Sequence, residues 1–174
     1  MTTIEPKTSF QPSSLPFASP SRMEIVQPDS LVQAVDAAVS EIEDEALTPN
    51  GADSPSVAFQ PRLMTGLLTY CYARQIYSSS QIVFLLRRDR LFRLMCDDIL
   101  PDAEWISRFR RDNRRAILQC LVVVLLFQAK QKVVAGLVTH VNNVKIAAEA
   151  KRRIIMSAFT DSMELDECGF GAEA

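Results

Sequence analysis

The chain has little of what most enzymatic and metal chemistry requires. Its 174 residues include one histidine, five glycines and four cysteines. The cysteines, Cys71, Cys96, Cys120 and Cys168, are widely spaced with no CxxC pair, and no ligand cluster surrounds His140. Neither a zinc site nor a disulfide framework is expected, and a reducing cytoplasm fits. There is no glycine-rich phosphate loop, and no Ser or Cys nucleophile stands in a recognisable motif with the histidine. Asp97 and Asp98 are adjacent and therefore splay apart on a helix, which suits a solvated or capping role better than acid–base work. The opening MTTIEPKTSFQPSSLPFASPS has no positive start followed by an apolar core, so it does not read as a secretory signal. The greasiest run, LVVVLLF at 121–127, lies between Arg115 and Lys130, which enclose fourteen uncharged residues, two of them Gln. A bilayer span takes about 20 predominantly apolar residues, so this run reads as a core helix. No catalytic residue, metal, cofactor or membrane is expected.

What is abundant is charge, and it is unevenly placed. The formal net charge is only −2, yet residues 1–55 hold nine acids against two bases, 56–160 seven acids against seventeen bases, and 161–174 five acids with no base. A basic middle between acidic ends is the electrostatic footprint of a polyanion-binding protein, with flanks that can limit non-specific binding.

The stretch ILPDAEWISRFRRDNRR, Ile99 to Arg115, carries five of the arginines. Pro101 stops what precedes it, and the Asp102 carboxylate can accept from the orphan N–H groups of a first helical turn. Glu104 then sits near the positive end of the helix dipole and the arginines toward the other end, as the dipole prefers. Trp105 and Phe109 share one side at i, i+4, while Arg108, Arg111 and Arg115 form a stripe at i, i+3, i+7, with Arg110 and Arg114 on the neighbouring one. Apolar anchors on one side and guanidinium groups on the other suit a recognition helix that contacts phosphates or base edges. A solvated basic face gives the same pattern.

In chain order, residues 1–22 are rich in Ser, Pro and Thr without periodicity and read as disordered. Asp29 and Ser30 offer caps for a helix from Leu31 to Leu47 with an apolar stripe of Leu31, Val35, Ala38 and Ile42, and residues 48–56 read as a linker. The acidic face Glu41, Glu43, Asp44 and Glu45 is solvated, or covers the basic middle when no polyanion is bound. A second helix begins at Pro61 and runs through RLMTGLLTYCYAR, with Leu63, Leu67, Tyr70, Leu68 and Cys71 facing inward. Ser78–Ser80 cap a third, with Ile82, Leu85 and Leu86 inside and Arg87 and Arg88 emerging at its end. Phe92 and Met95 mark a further short helix. Arg114 to Leu137 forms a long helix that Gly136 can cap, and a last helix spans about Asn143 to Phe159 with Lys145, Lys151, Arg152 and Arg153.

The stretches FQPRLMTGLLTYCYARQIYSSSQIVFLLRRDRLFRLMC and LPDAEWISRFRRDN, in this order, resemble the N-terminal region of InsH-like bacterial insertion-sequence transposases of the DDE type. The matching residues are Pro61, Arg62, Tyr70, Tyr72, Ala73, Ser79, Asp89, Phe92, Arg93, Pro101, Asp102, Ile106, Arg108, Phe109 and Arg110. IVQPDSLVQAVDAAVSEI resembles the family's opening helix, so the likeness covers about residues 24–130. An ordered set of motifs is far more specific than any one of them. The resemblance implies an all-helical domain that helps bind terminal inverted repeats, ahead of an RNase H-like domain whose two aspartates and one glutamate bind divalent metal for strand transfer. In HVNNVKIAAEA, Asn142 stands where the family's first catalytic aspartate is expected, and an amide cannot supply that anionic ligand. About thirty residues follow, too few for a domain of ordinary size, roughly 100 residues or more.

The expectation is thus an all-α, multi-helix domain at 23–160 with a helix-turn-helix-like portion, a disordered N-terminus and an acidic tail at 161–174. It is a non-catalytic module truncated before the catalytic domain, which binds double-stranded DNA at terminal inverted repeats through Arg108, Arg110, Arg111, Arg114 and Arg115, with Arg87 and Arg88 as backbone contacts. The alternatives are a regulatory protein that forms homo-oligomers, or hetero-oligomers with a full-length transposase, through Leu121 to Phe127, and an inert remnant.

Overall fold

Helix is what this sequence can hydrogen-bond most completely, and all regular structure among the described residues of the computed structural model is helical. Residues 28–43, 46–47, 60–96 and 100–170 are described, with the backbone alone at 28–29 and 165–170. Seven helices follow in order: α1 Pro28–Ser40, α2 Pro61–Ala73, α3 Ser79–Arg88, α4 Arg90–Met95, α5 Ala103–Asp112, α6 Arg114–Val134 and α7 Asn143–Phe170. The expected disordered N-terminus at 1–22 and the linker at 48–56 lie outside the described residues.

The centre of the domain is α6, which packs against α1, α2 and α7. Its Ala116, Ile117, Cys120, Leu121, Val124 and Leu125 meet Met64, Leu67, Leu68 and Cys71 of α2 and Val35 and Ala38 of α1 in one cluster. By length and composition α6 alone among the described residues would cross a membrane; here it is the core helix that the sequence implies. Three of the seven residues of the run Leu121–Phe127, namely Leu121, Val124 and Leu125, are buried in this core, while Val123 is 44% exposed. Gly66 of α2 faces α1, where a Cβ would meet Val35 and Val39 at an ordinary 3.7 and 3.8 Å.

Local chemistry sets the ends. Ser78 Oγ accepts from Gln81 N at 3.0 Å, and Asp102 Oδ1 from Trp105 N at 2.7 Å, as the cap signals imply. The C-terminus of α6 closes in a Schellman turn, with Leu137 N donating to Lys132 O, Gly136 N donating to Val133 O, and Gly136 at φ 70°. The C-terminus of α2 closes the same way, with Ile76 N donating to Cys71 O, but the left-handed position is filled by Gln75 at φ 63°.

Three boundaries differ from those expected. First, α1 starts at Pro28, which puts Asp29 and Ser30 inside its first turn, and it stops at Ser40 rather than Leu47. The reason is Arg62, whose Nη1 and Nη2 donate to Val39 O at 2.9 Å and Ile42 O at 2.6 Å, taking carbonyls that a longer helix would need. Second, α5 ends at Asp112 rather than carrying the arginine stripe on to Arg115, although α6 begins at Arg114 as expected. The buried Asn113 ends α5 and starts α6, its Nδ2 donating to Phe109 O at 3.2 Å. Asparagine makes such local side-chain bonds in competition with the helical ladder. Third, α7 runs on to Phe170, so the first ten residues of the expected tail are helical.

Candidate functional site

The arginines sort into three kinds of place. Arg110 is buried, 5% exposed, in the contact of α5 with α3 and α7. Its Nη2 donates to Asp161 Oδ2 at 2.7 Å, and Asp161 also accepts from Ser79 N at 2.8 Å and Ser79 Oγ at 2.6 Å. One carboxylate therefore satisfies the start of α3 and neutralises a guanidinium of α5. Burial pushes the nearby Tyr72 hydroxyl up to about 12, while Arg110 and Ser157 pull it back. Burial works against the Arg110 charge too, but Tyr72 and Asp161 outweigh it and raise its pKa above the ordinary value. Arg110 is thus a structural cation and departs from the surface role expected of it. Asp161, which the sequence reading places in the acidic tail, is its partner in the core.

Arg108 and Arg111 lie together on the exposed side of α5. With Ser79, Ser80, Glu104, Ser107 and Glu164 they line a depression of about 460 Å³. A neighbouring one, about 440 Å³, holds Arg111 and Arg114 against Ile155 and Ser162 of α7. The two share Ser107, Arg111 and Asp161, so Arg108, Arg111 and Arg114 border one continuous groove between α5 and α7. Glu104 holds Arg108 at 3.0 Å, and Asp112 lies 3.9 Å from Arg111. Arg115 is not part of this stripe, because the break at Asn113 turns it elsewhere. It lines a separate groove of about 860 Å³ between α1, α6 and α7 with Glu41, Glu43 and Lys151. Two members of the acidic face near the end of α1 are thereby brought to part of the basic middle.

The third place is the corner of α3 and α4. Arg87 and Arg88 close α3, and Arg90 and Arg93 lie on α4, all exposed within seven residues. Asp89, between them, is engaged as the α4 cap, accepting from Leu91 N at 2.8 Å. Arg87, Arg88, Arg90 and Arg93 make no ion pair among the described residues. Arg88 lies over the half-exposed ring of Phe84 at 4.6 Å. This corner is set apart from the α5 groove: Ser79 borders that groove, and Arg87 follows eight residues later, about 12 Å along a helix. Sequence reading passed over Arg90 and Arg93, and four arginines in seven residues was the signal.

The anchors of α5 are as expected in kind. Ile106 and Phe109 are fully buried, and Trp105, half-buried, stacks on Phe109 with ring centroids 5.3 Å apart. Asn142, aligned above with a catalytic aspartate, caps α7 through Lys145 N donating to its Oδ1 at 3.0 Å. The described residues hold no group of three or more His, Cys, Asp and Glu arranged to bind a metal ion.

No curated protein and no solved structure matches the chain. The family described as Transposase domain (DUF772) matches residues 20–112, a span that runs through α1 to the last residue of α5 and takes in both the α3–α4 corner and the arginines of α5. With more than half of its residues matched, the chain belongs to this transposase domain family, and its function is transposase-related.

Proposed function

We propose that the protein is a DNA-binding module of a transposition system, acting on double-stranded DNA without itself cutting it. The observation that carries this reading is the set of exposed arginines without carboxylate partners among the described residues at the α3–α4 corner, together with the α5 helix that presents Arg108 and Arg111. Phosphate contacts position a protein on a duplex, and base contacts specify the site. Arg87, Arg88, Arg90 and Arg93 suit the first task. Arg108 and Arg111, on a helix clamped from behind by Ile106, Phe109 and the Arg110–Asp161 pair, suit the second, much as the second helix of a helix-turn-helix does. Terminal inverted repeats are the natural target for a protein of this family. Binding without catalysis is supported by Asn142, an uncharged cap where the likeness to DDE enzymes calls for a carboxylate.

Fluorescence anisotropy with a terminal-repeat duplex and a scrambled duplex, each over a range of salt, tests the proposal. Tighter binding to the repeat, weakening as salt rises, is expected. Arg93→Ala should lower the salt slope by about one unit on both duplexes, whereas Arg111→Ala should narrow the difference between them. Equal, weak binding to both would reduce the surface to a generic cation. No binding at low salt would remove DNA as the partner.

A further inference from the structure

The two arginine surfaces differ in their electrostatics. At the α3–α4 corner, Arg87, Arg88, Arg90 and Arg93 make no ion pair among the described residues. In the depression on α5, by contrast, Arg108 and Arg111 share the lining with Glu104 and Glu164. Asp161 lines it as well, but its oxygens are occupied by Arg110 and Ser79. Two cations therefore meet two carboxylates on a surface that faces solvent. Such a balanced surface is poorly suited to drawing affinity from phosphates. A carboxylate held against a polyanion is repelled by every duplex, so it adds discrimination only where a base offers it a donor.

Glu104 is placed for that task. Its side chain is 84% exposed, and its Oε1 accepts from Nη2 of the half-exposed Arg108 at 3.0 Å, one turn further along α5. The pair is a short dipole, with cation and anion on neighbouring turns about 6 Å apart at their Cβ atoms. In the major groove a G·C pair offers its complement: guanine presents the acceptors O6 and N7, and cytosine the N4 amino donor beside them. An A·T pair sets its amino donor between two acceptors, with a methyl group beyond. The α5 sequence AEWISRFRRD also contains no Asn or Gln, the side chains that pair bidentately with adenine. On a G·C pair the two side chains recover what they give up by parting, and on a phosphate only the arginine does. Resting on the DNA reading above, we infer that Glu104 is a specificity-determining residue. It accepts from the cytosine N4 amino group of a G·C pair whose guanine Arg108 takes, and on other sequences it holds Arg108 away from the phosphates.

Anisotropy titrations of the full chain test it, with the terminal-repeat duplex, the scrambled duplex, and repeat duplexes in which one G·C pair at a time is changed to A·T. Glu104→Gln keeps the side-chain shape and removes the charge. It should bind the scrambled duplex more tightly, by up to about fivefold, the worth of the exposed ion pair that no longer restrains Arg108. At one G·C position, the change to A·T should weaken the unmodified chain at least about fivefold but Glu104→Gln no more than about twofold, because an amide offers donor and acceptor alike. Asp112→Asn controls for charge alone: about 12 Å further along α5, it should tighten binding to every duplex and leave the cost at that position unchanged. A Glu104 that only supports α5, through the helix dipole and its i, i+4 pair, gives the opposite sign, with weaker binding to both duplexes once it is replaced. Unchanged or weaker binding of the scrambled duplex by Glu104→Gln would overturn the inference and leave the DNA reading standing. So would equal single-pair costs in the two proteins, or no G·C position with such a cost. Failure of the unmodified chain to bind any duplex would overturn both.

Discussion

The Arg110–Asp161 pair should be the most sensitive polar contact in the domain. Asp161 is engaged three times, by Arg110 Nη2 at 2.7 Å, Ser79 Oγ at 2.6 Å and Ser79 N at 2.8 Å, and both charged side chains are nearly sealed from water. Replacing Asp161 by Ala leaves a buried guanidinium without its counter-charge and the first turn of α3 without its acceptor. Breaking a buried pair from one side costs about 3–5 kcal/mol. Arg110→Met is milder in shape but leaves Asp161 buried and singly charged, with the Ser79 bonds remaining, so about 2–4 kcal/mol is expected by the same reasoning. The double variant Arg110→Met, Asp161→Leu removes both charges together. Apolar replacements of similar volume often restore most of the loss, so it should be more stable than Asp161→Ala alone. Urea unfolding followed by circular dichroism of the unmodified chain, Arg110→Met, Asp161→Leu and the double variant gives the four corners of the cycle, with a coupling of at least about 1 kcal/mol expected for groups in direct contact. Additive losses, or an Asp161→Ala cost below about 1 kcal/mol, would mean that the pair is solvated and that Arg110 is available at the surface after all.

Three further outcomes follow from the same structure. Gln75→Gly should stabilise the domain by about 0.5–1 kcal/mol, because it relieves a side chain held at φ 63° in the turn after α2, and a shift in the urea midpoint would show it. Gly66→Ala should also be neutral or stabilising by up to about 1 kcal/mol, since the new methyl meets Val35 and Val39 at ordinary contact distance and a helix interior prefers Ala; a loss beyond 1 kcal/mol would contradict that packing. Hydrogen bonds from Arg152, then Arg153, hold the Glu149 carboxyl down at about 2 against an ordinary 4.5. A folded-state value below the unfolded one stabilises above about pH 4.5 and loses that contribution as pH falls toward 2, so Glu149→Gln should flatten the decline in stability across this window relative to the unmodified chain.

The helices were legible because their boundaries are written in local chemistry. Pro61, the Ser78 cap, the Asp102 cap and Gly136 each act within a few residues of themselves, and each lies where its chemistry places it. What local pattern does not hold is the reach of a long side chain into another helix. The end of α1 is set by Arg62, twenty residues and more away in sequence from the carbonyls it takes. The fate of Arg110 is set by Asp161, fifty-one residues away. Periodicity also carries the Arg108–Arg111 stripe on to Arg115, because a helical wheel has no term for the Asn113 side chain turning back onto Phe109 O.

Arg62, Arg110 and Arg153 show why a count of basic residues overstates the surface available to a polyanion. Arg153 Nη1 donates to Tyr72 O at 2.9 Å and Ala73 O at 2.8 Å, closing the end of α2, while its Nε donates to Glu149 at 2.8 Å. Arg62 does the same for α1, and Arg110 ties the start of α3 to α5 through Asp161. Short helices leave many orphan backbone groups for each residue they fold, and a guanidinium, with five donors on a long stem, can reach carbonyl groups at a helix end that water would otherwise have to serve. In a domain whose described residues form seven helices, these arginines are therefore part of the scaffold. The arginines open to a duplex are the ones whose helix faces meet no such end: Arg87, Arg88, Arg90 and Arg93 at one corner, and Arg108, Arg111 and Arg114 along one groove. Separating the two groups by substitution should separate two losses, of the fold in the first and of salt-dependent binding in the second.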